Sequence, residues 1–265
     1  MARRKGARRC LTVSAMQAVI LAAGRGTRLA QETHSDTVPK CLLRFGSQSL
    51  LERHLRLLRE CGVAEVWVAV GYAADQVRAE MARLPEALAA DTVFNPDYRL
   101  GSIVTVWHAR APLLTGRDTL LMDADVLYDE RMLSALMDSR QPDCLLLDRD
   151  FEPGDEPVKV CVRDGRIVEF RKRVAPDLAF DVCGESVGFF RLSGQTCRAL
   201  VARASDYMEA GCGHEPHEEA LRDLMLEAGP SRFGVEDVTG LPWIDIDFPG
   251  DIERARLEIL PRLQR

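Results

Sequence analysis

Short apolar segments alternate with helical segments through the first half of the chain, and this alternation constrains the fold most strongly. Buried strands are predicted at residues 17–22, 65–70, 92–94 and 119–122. Helices are predicted at 49–61, after the Gly71-Tyr72 turn through Met81, and at 103–109. Strands joined by helices indicate βαβ units, in which helices cover both faces of a mainly parallel sheet.

The pattern changes after about residue 143. The predicted strands of this half are 144–147, 158–162, 167–170, 184–192, 233–235 and 243–246. Asp164-Gly165 is typical of a hairpin turn, and helices are predicted at 195–209, at 218–227 and from Asp251. No repeat or linker interrupts this order, so we predict an α/β fold with a mixed sheet in one domain, 16–265.

Composition excludes several classes of protein. The net charge is −6 and aromatic residues are 6%, which disfavours a nucleic-acid surface. No apolar run has the length of a membrane span. The eight cysteines form no C-x-x-C pair, so we expect reduced thiols and a cytoplasmic location. Residues 1–15 are basic without a signal-peptide core, and we expect a disordered extension.

A glycine-rich segment, Leu21-Ala-Ala-Gly-Arg-Gly-Thr-Arg-Leu29, directly follows the first strand. Glycines let a backbone approach phosphates closely, and amides at a helix start attract anions. A dinucleotide fingerprint needs a third glycine where Leu29 stands, and a P-loop needs a Gly-Lys-Ser/Thr ending that is missing here. A plain strand-to-helix turn would not need the cations Arg25 and Arg28, so we favour a phosphate loop.

Two pairs of aspartates stand at strand ends, Asp123 with Asp125 and Asp245 with Asp247. Ligands bind at such ends in open α/β sheets. We expect one aspartate of the first pair to face the ligand. Two carboxylates suffice to hold phosphate-bound magnesium.

The glycine-rich segment, followed by Pro39-Lys40, resembles the sugar-phosphate nucleotidyltransferase superfamily. Later segments are similar to its phosphocholine cytidylyltransferase group and the phosphonate-cytidylylating relatives. These segments are Glu156-Pro-Val-Lys-Val, Asp164-Gly-Arg-Ile-Val-Glu, Gly184-Glu-Ser-Val-Gly, His217-Glu-Glu-Ala-Leu and Trp243-Ile-Asp-Ile-Asp-Phe-Pro-Gly-Asp. The resemblance implies a Rossmann-like nucleotidyltransferase fold, whose second half contributes the acceptor side.

The resemblance also implies roles for individual residues. Arg28, Lys40 and Asp125 would be catalytic, and Mg²⁺ would be held by Asp125 and Asp247, with Asp245 as the alternative. The implied nucleotide-binding residues are Leu21, Ala22, Ala23, Gly24, Gly26, Thr27, Gly71, Tyr72, Gly101, Ser102 and Asp123.

Four residues of the second half are candidates for binding the acceptor. Lys159 and Lys172 match lysines of the family that would neutralise the acceptor phosphate, although solvated lysines beside strands are an equally good interpretation. Glu185 and Glu218 would bind an ammonium group, although Glu218 could instead complement a helix dipole.

The resemblance implies magnesium-dependent transfer of CMP from CTP to a small phosphorylated or phosphonate amino alcohol, with release of pyrophosphate. The five histidines show no motif spacing, which fits an acceptor phosphate that attacks without a nucleophilic side chain. The alternatives are a sugar-1-phosphate nucleotidyltransferase using UTP, dTTP or GTP, and a nucleotide-binding regulatory subunit without catalysis. A homodimer is left open as the oligomeric state.

Overall fold

The structure is a computed structural model that describes residues 16–26, 28–29, 38–63, 65–227 and 233–263. Its strands are β1 (Gln17–Ala22), β2 (Arg44–Phe45), β3 (Gln48–Ser49), β4 (Glu65–Val70), β5 (Asp91–Phe94), β6 (Thr119–Asp123), β7 (Val126–Tyr128), β8 (Asp143–Asp148), β9 (Lys159–Arg163), β10 (Arg166–Arg171), β11 (Val182–Leu192), β12 (Phe233–Asp237) and β13 (Trp243–Asp245). The predicted extension 1–15 lies outside the described residues.

Helices connect most of these strands. They are α1 (Leu50–Glu60), α2 (Ala74–Met81), α3 (Ser102–His108), α4 (Arg110–Leu113), α5 (Arg131–Asp138), α6 (Gly194–Glu209), α7 (His217–Glu227), α8 (Pro249–Arg254) and α9 (Leu260–Leu263). Short 3₁₀ turns lie at Lys40–Leu42 and Glu86–Leu88, and a π-helical turn, Ala255–Ile259, joins the last two helices. Among the described residues, no helix has the length and apolar character needed to cross a membrane.

Within the described residues, nine strands form one mixed sheet in the order β10-β9-β11-β6-β1-β4-β5, with β8 paired to β11 and β12. Strands β6, β1, β4 and β5 run parallel, as their helical crossovers require. Strand β11 is antiparallel to β6, β8 and β9, so the second half of the chain extends the sheet by hairpin-type pairing.

Both faces of the sheet are covered, because successive residues of its central strands enter different cores. Ala18 and Ile20 of β1 pack with α1 residues such as Leu55, whereas Val19 packs on the other face with Val104 of α3. Helix α1 is fixed at its start by Ser49, whose hydroxyl accepts from the Glu52 amide at 3.1 Å.

The predicted mixed α/β sheet is confirmed, and each predicted strand and helix is present within two residues of its expected bounds. The elements that were not predicted include β7 and α5. Strand β7 pairs antiparallel with β13, and this pairing places the two aspartate pairs beside each other. The Ile246 amide also donates to the Asp125 carbonyl at 3.1 Å.

Candidate functional site

A cavity of about 340 Å³ opens at the carboxyl ends of β1 and β6. Most of the predicted site residues line it. They are Leu21, Ala22, Ala23, Gly24, Gly26, Lys40, Gly101, Ser102, Asp123, Asp125, Lys172, Glu185, Glu218, Asp245 and Asp247. The position is the one at which parallel α/β sheets bind ligands.

The glycine-rich loop forms one wall of this cavity. Gly26 has a φ of +58°, and a Cβ there would come 3.0 Å from the Lys40 Cγ, so glycine lets the lysine lie across the loop. The predicted residues Gly71 and Tyr72 support the loop instead of lining the cavity, since the Tyr72 amide donates to the Ala23 carbonyl at 3.0 Å. Thr27 lies outside the described residues.

Lys40 is the centre of a network of ion pairs. Its Nζ lies 3.0 Å from Asp125 Oδ2 and 2.5 Å from Asp247 Oδ1, and its side chain is only 13% exposed. Burial alone would lower the pKa of Lys40, but Asp125, Asp245 and Asp247 together raise it. Arg28 contacts the same site, with Nη1 2.7 Å from Asp247 Oδ2. Lys40 and Arg28, the two predicted catalytic cations, therefore form ion pairs with aspartates that were predicted to bind the metal.

Three carboxylates converge beside these cations. One oxygen each of Asp125, Asp245 and Asp247 lies within 4.8 Å of the others. Desolvation raises the pKa of Asp245, and the like charges of Asp125 and Asp247 raise it further. The Asp245 side chain is nevertheless exposed to solvent. Such mutual repulsion is relieved by a divalent cation, and hard oxygen ligands are those that Mg²⁺ prefers. The cluster contains both Asp245 and Asp247, so each of them is placed to bind a metal together with Asp125.

The expectation that one aspartate of the first pair faces the ligand is wrong, because both line the cavity. Asp123 ends β6, and alternate residues of an extended chain point to the same side, so Asp125 follows Asp123 into the cavity despite the bend at 124–125. Asp123 lies against Gly188, where a Cβ would overlap its Oδ2. Burial raises the pKa of Asp123.

His217 was missed by the sequence analysis, although its segment was noted. Its Nδ1 lies 3.0 Å from Glu218 Oε2 and 3.0 Å from Ser102 Oγ, and its amide donates to that hydroxyl at 2.8 Å. Burial favours the neutral ring, but Glu218 and Asp123 raise the pKa of His217 to about 9. The predicted Ser102 and Glu218 thus both contact the buried ring of His217.

The lining of the cavity also includes an acidic and aromatic part. Burial, with the adjacent Asp148, raises the pKa of Glu185 to about 7. Asp148 is the register partner of Glu185, and its Oδ2 accepts from the indole N–H of Trp243 at 2.7 Å. Trp243 also lines the cavity. Neither Asp148 nor Trp243 was predicted as a site residue, since their proximity depends on β8 pairing with β11.

The two predicted lysines differ in placement. Lys172 lines the cavity, and its Nζ lies 3.1 Å from Glu156 Oε2. Lys159 is not among the lining residues, and its Nζ donates at 2.6 Å to each of the Gly154 and Lys172 carbonyls. Lys159 therefore holds the segment before β9, whereas Lys172 is available to an anion in the cavity.

Comparison with known proteins identifies the family. A family model described as a MobA-like NTP transferase domain matches residues 18–224, which is most of the chain. The chain belongs to the MobA-like NTP transferase domain family. The resemblance to nucleotidyltransferases is thereby confirmed, and the matched span contains the loop, Lys40, Asp125 and Glu185.

Relatives with assigned activities cover nearly all of this chain. The bifunctional IPC transferase and DIPP synthase of Thermococcus kodakarensis is 28% identical over 242 residues, 91% of this chain and 50% of that protein. The CMP-5'-(3-aminopropyl)phosphonate synthase of Streptomyces rubellomurinus is 27% identical over 252 residues, 93% of this chain and 39% of that protein. The chain thus spans half or less of these two relatives.

Two solved structures share the fold. The inositol-1-phosphate CTP transferase from T. maritima has a TM-score of 0.71 and 21% identity, with 96% of this chain and 97% of that chain covered. The CTP:phosphocholine cytidylyltransferase from Streptococcus pneumoniae has a TM-score of 0.72 and 20% identity, with coverage of 91% and 98%. The Rossmann-like nucleotidyltransferase architecture is therefore confirmed.

Proposed function

We propose that this NTP transferase domain is a magnesium-dependent cytidylyltransferase. It would transfer CMP from CTP to a small phosphate or phosphonate that also carries an ammonium group. The observation that carries the proposal is a cavity lined both by a carboxylate and cation cluster and by a half-buried acid, Glu185, together with Trp243. The cluster suits a metal-bound triphosphate, and Glu185 suits an ammonium group.

The reaction needs no nucleophile from the protein. An oxygen of the acceptor phosphate or phosphonate attacks the α-phosphorus, and the bond from that phosphorus to the bridging oxygen breaks, releasing pyrophosphate. Bound by Asp125 and Asp247, with Asp245 beside them, Mg²⁺ would supply positive charge to the triphosphate. Lys40 and Arg28 lie next to those carboxylates and would neutralise charge that grows on the leaving pyrophosphate.

The loop and the strand ends would position the nucleotide. Ala23, Gly24 and Gly26 after β1 line the cavity, and their backbone amides would bind the phosphates, which the two glycines let approach closely. On the opposite wall, the buried His217 holds Ser102 and Glu218 in fixed orientations. Such fixed geometry keeps the reacting oxygen in line with the α-phosphorus.

The ammonium group is proposed from the charge of the cavity lining at Glu185. Glu185 has a desolvated carboxyl whose pKa of about 7 shows that its negative charge lacks full compensation. A bound cation would compensate it, and the nearby indole of Trp243 would add a cation–π contact. A sugar phosphate would bring neutral hydroxyl groups to this place and would gain less.

The choice of CTP rests on the relatives. The names of the S. rubellomurinus enzyme and of both solved structures specify CMP or CTP. So does that of the CTP:phosphoglutamine cytidylyltransferase of Campylobacter jejuni, which is 21% identical over 257 residues, 90% of this chain and 98% of that protein. Their acceptors differ, so the acceptor is inferred from the cavity of this chain.

A matched pair of acceptors tests the proposal. With CTP and Mg²⁺, pyrophosphate release should be at least roughly tenfold faster, as kcat/KM, for 2-aminoethylphosphonate than for 2-hydroxyethylphosphonate, because a desolvated cation–carboxylate contact is strong. Glu185→Gln should remove this preference. Equal use of both acceptors would refute the ammonium site, and no pyrophosphate with any acceptor would favour a regulatory subunit.

A further inference from the structure

Six side chains of alternating charge form a continuous chain of ion pairs across the cavity. In order they are Lys172, Glu156, Arg28, Asp247, Lys40 and Asp125, with successive N–O distances of 3.1, 3.0, 2.7, 2.5 and 3.0 Å. All of them except Glu156 already have proposed roles toward phosphate or metal. Glu156 is an anion placed between two cations that a substrate would use.

We propose that Glu156 is a displaceable counter-anion that occupies the place of the acceptor's phosphate or phosphonate. This inference rests on the proposed function. A single oxygen, Glu156 Oε2, lies 3.0 Å from Arg28 Nη2 and 3.1 Å from Lys172 Nζ. A phosphate or phosphonate oxygen between the same two nitrogens would make the same contacts and bring more negative charge. Glu156 therefore competes with the substrate for this position.

The two cations come from the two sides of the site, which identifies the anion they would share. Arg28 follows the glycine-rich loop, whereas Lys172 follows β10 and lines the cavity together with Glu185. The triphosphate already has the loop, Lys40, the carboxylate cluster and the Nη1 side of Arg28 that contacts Asp247, whereas Nη2 of Arg28 contacts Glu156. An anion that touches both Arg28 and Lys172 lies at the junction, where the attacking oxygen of the acceptor must meet the α-phosphorus.

Glu156 can be displaced at small cost. Its side chain is 54% exposed, and those of Arg28 and Lys172 are 41% and 42% exposed, so both ion pairs are weak. It lies within residues 149–158, which contain no helix or strand. Lys159 holds the base of this segment through the Gly154 and Lys172 carbonyls, so Glu156 can turn outward while the base stays in place.

The test is Glu156→Gln, which keeps the shape of the side chain and removes its charge. The KM for 2-aminoethylphosphonate should fall about two- to fivefold, as expected for loss of two weak, exposed ion pairs that compete with the substrate. The kcat and the KM for CTP should stay within roughly twofold, because no transition-state contact is removed. Asp155→Asn is the matched control, because it removes the same charge from the neighbouring residue. Among the described residues, the Asp155 carboxylate contacts only Arg173, at 3.3 Å.

Binding without turnover separates this proposal from the proposed function. Methylphosphonate, which has no ammonium group, is titrated without nucleotide and followed by ³¹P NMR. Glu156→Gln should bind it about two- to fivefold more tightly than the unaltered protein, Asp155→Asn should not, and adding Lys172→Gln to Glu156→Gln should remove the gain. The methylphosphonate titration remains informative if no acceptor is turned over. Absence of turnover would count only against the proposed enzyme function.

Three results would overturn the role of Glu156. Weaker or unchanged methylphosphonate binding by Glu156→Gln would show that the carboxylate does not compete with the anion. An equal gain in Asp155→Asn would show a general effect of charge. A higher KM for 2-aminoethylphosphonate, with methylphosphonate binding unchanged, would make Glu156 a contact of the ammonium group.

Discussion

Replacing Gly188 by alanine should disable the site while leaving the fold intact. Gly188 lies in β11 between Ser186 and Phe190, where the register with β8 shifts, and its φ is +78°. A Cβ at this position would overlap Asp123 Oδ2 and lie 3.1 Å from Asp123 Cγ. The glycine is therefore required both for its backbone conformation and for the space that the Asp123 carboxylate occupies.

Gly165→Ala separates the cost of the left-handed backbone conformation from the cost of the overlap with Asp123. Gly165 has a φ of +73° in the turn between β9 and β10, and a Cβ there would meet nothing within 4 Å. Both variants should lose about 1–2 kcal/mol of unfolding free energy from the left-handed conformation. For a chain of this size that corresponds to roughly 2–4 °C in Tm per kcal/mol.

Only Gly188→Ala should also lose activity. To clear the new methyl group, Asp123 must shift by about 1 Å, and a displacement of this size in a reacting geometry costs about 100-fold in rate. The assays are pyrophosphate release for kcat/KM and circular dichroism for Tm. If Gly188→Ala stayed within roughly threefold of the unaltered activity, or if Gly165→Ala lost as much, the packing of Asp123 against Gly188 would not matter to the site.

Three further predictions concern charge. Asp125→Ala and Asp247→Ala should each lower kcat by about 100-fold or more with Tm little changed, and near-normal turnover would remove that residue from the proposed metal site. Lys40→Ala should lower kcat more than CTP affinity, because charge on pyrophosphate grows in the transition state; weaker binding at unaltered kcat would make Lys40 a ground-state contact. The pKa of Glu185 is raised to about 7, so the contribution of this group to folding stability is complete at pH values below the ordinary pKa of glutamate and is lost as the pH rises through about 7. Over the same interval its carboxylate forms, so kcat/KM for an ammonium acceptor should rise with pH in the unaltered protein relative to Glu185→Gln, and parallel profiles would refute this.

The elements that could be predicted from the sequence are those with strong local patterns. The runs at β1, β4 and β6 are apolar because both faces of the sheet are covered there. The three-residue strand β7 could not be recognised, since its only strand partner among the described residues, β13, is more than one hundred positions away. Helix α5 did carry a signal, because Met132, Leu133 and Leu136 have helical spacing and are buried.

The site residues likewise fall into those with a local sequence signal and those that only the fold brings together. Lys40, Asp125 and Asp247 belong to segments whose residue types and neighbours indicate phosphate and metal chemistry, and the structure joins them in one network. The contact of His217 with Ser102 spans 115 residues, so spacing could not reveal it. The position of Glu156 between Arg28 and Lys172 likewise depends on three segments that meet only in the folded chain.

A competition experiment tests the central claim most directly. The protein is incubated with Mg²⁺, equal concentrations of CTP, UTP, dTTP and GTP, and equal concentrations of 2-aminoethylphosphonate and glucose-1-phosphate, and the products are identified by mass spectrometry. We predict that the cytidylyl ester of 2-aminoethylphosphonate predominates and that Asp247→Ala forms none of it. Predominance of a uridylyl or thymidylyl sugar would contradict the account and establish a sugar-1-phosphate nucleotidyltransferase.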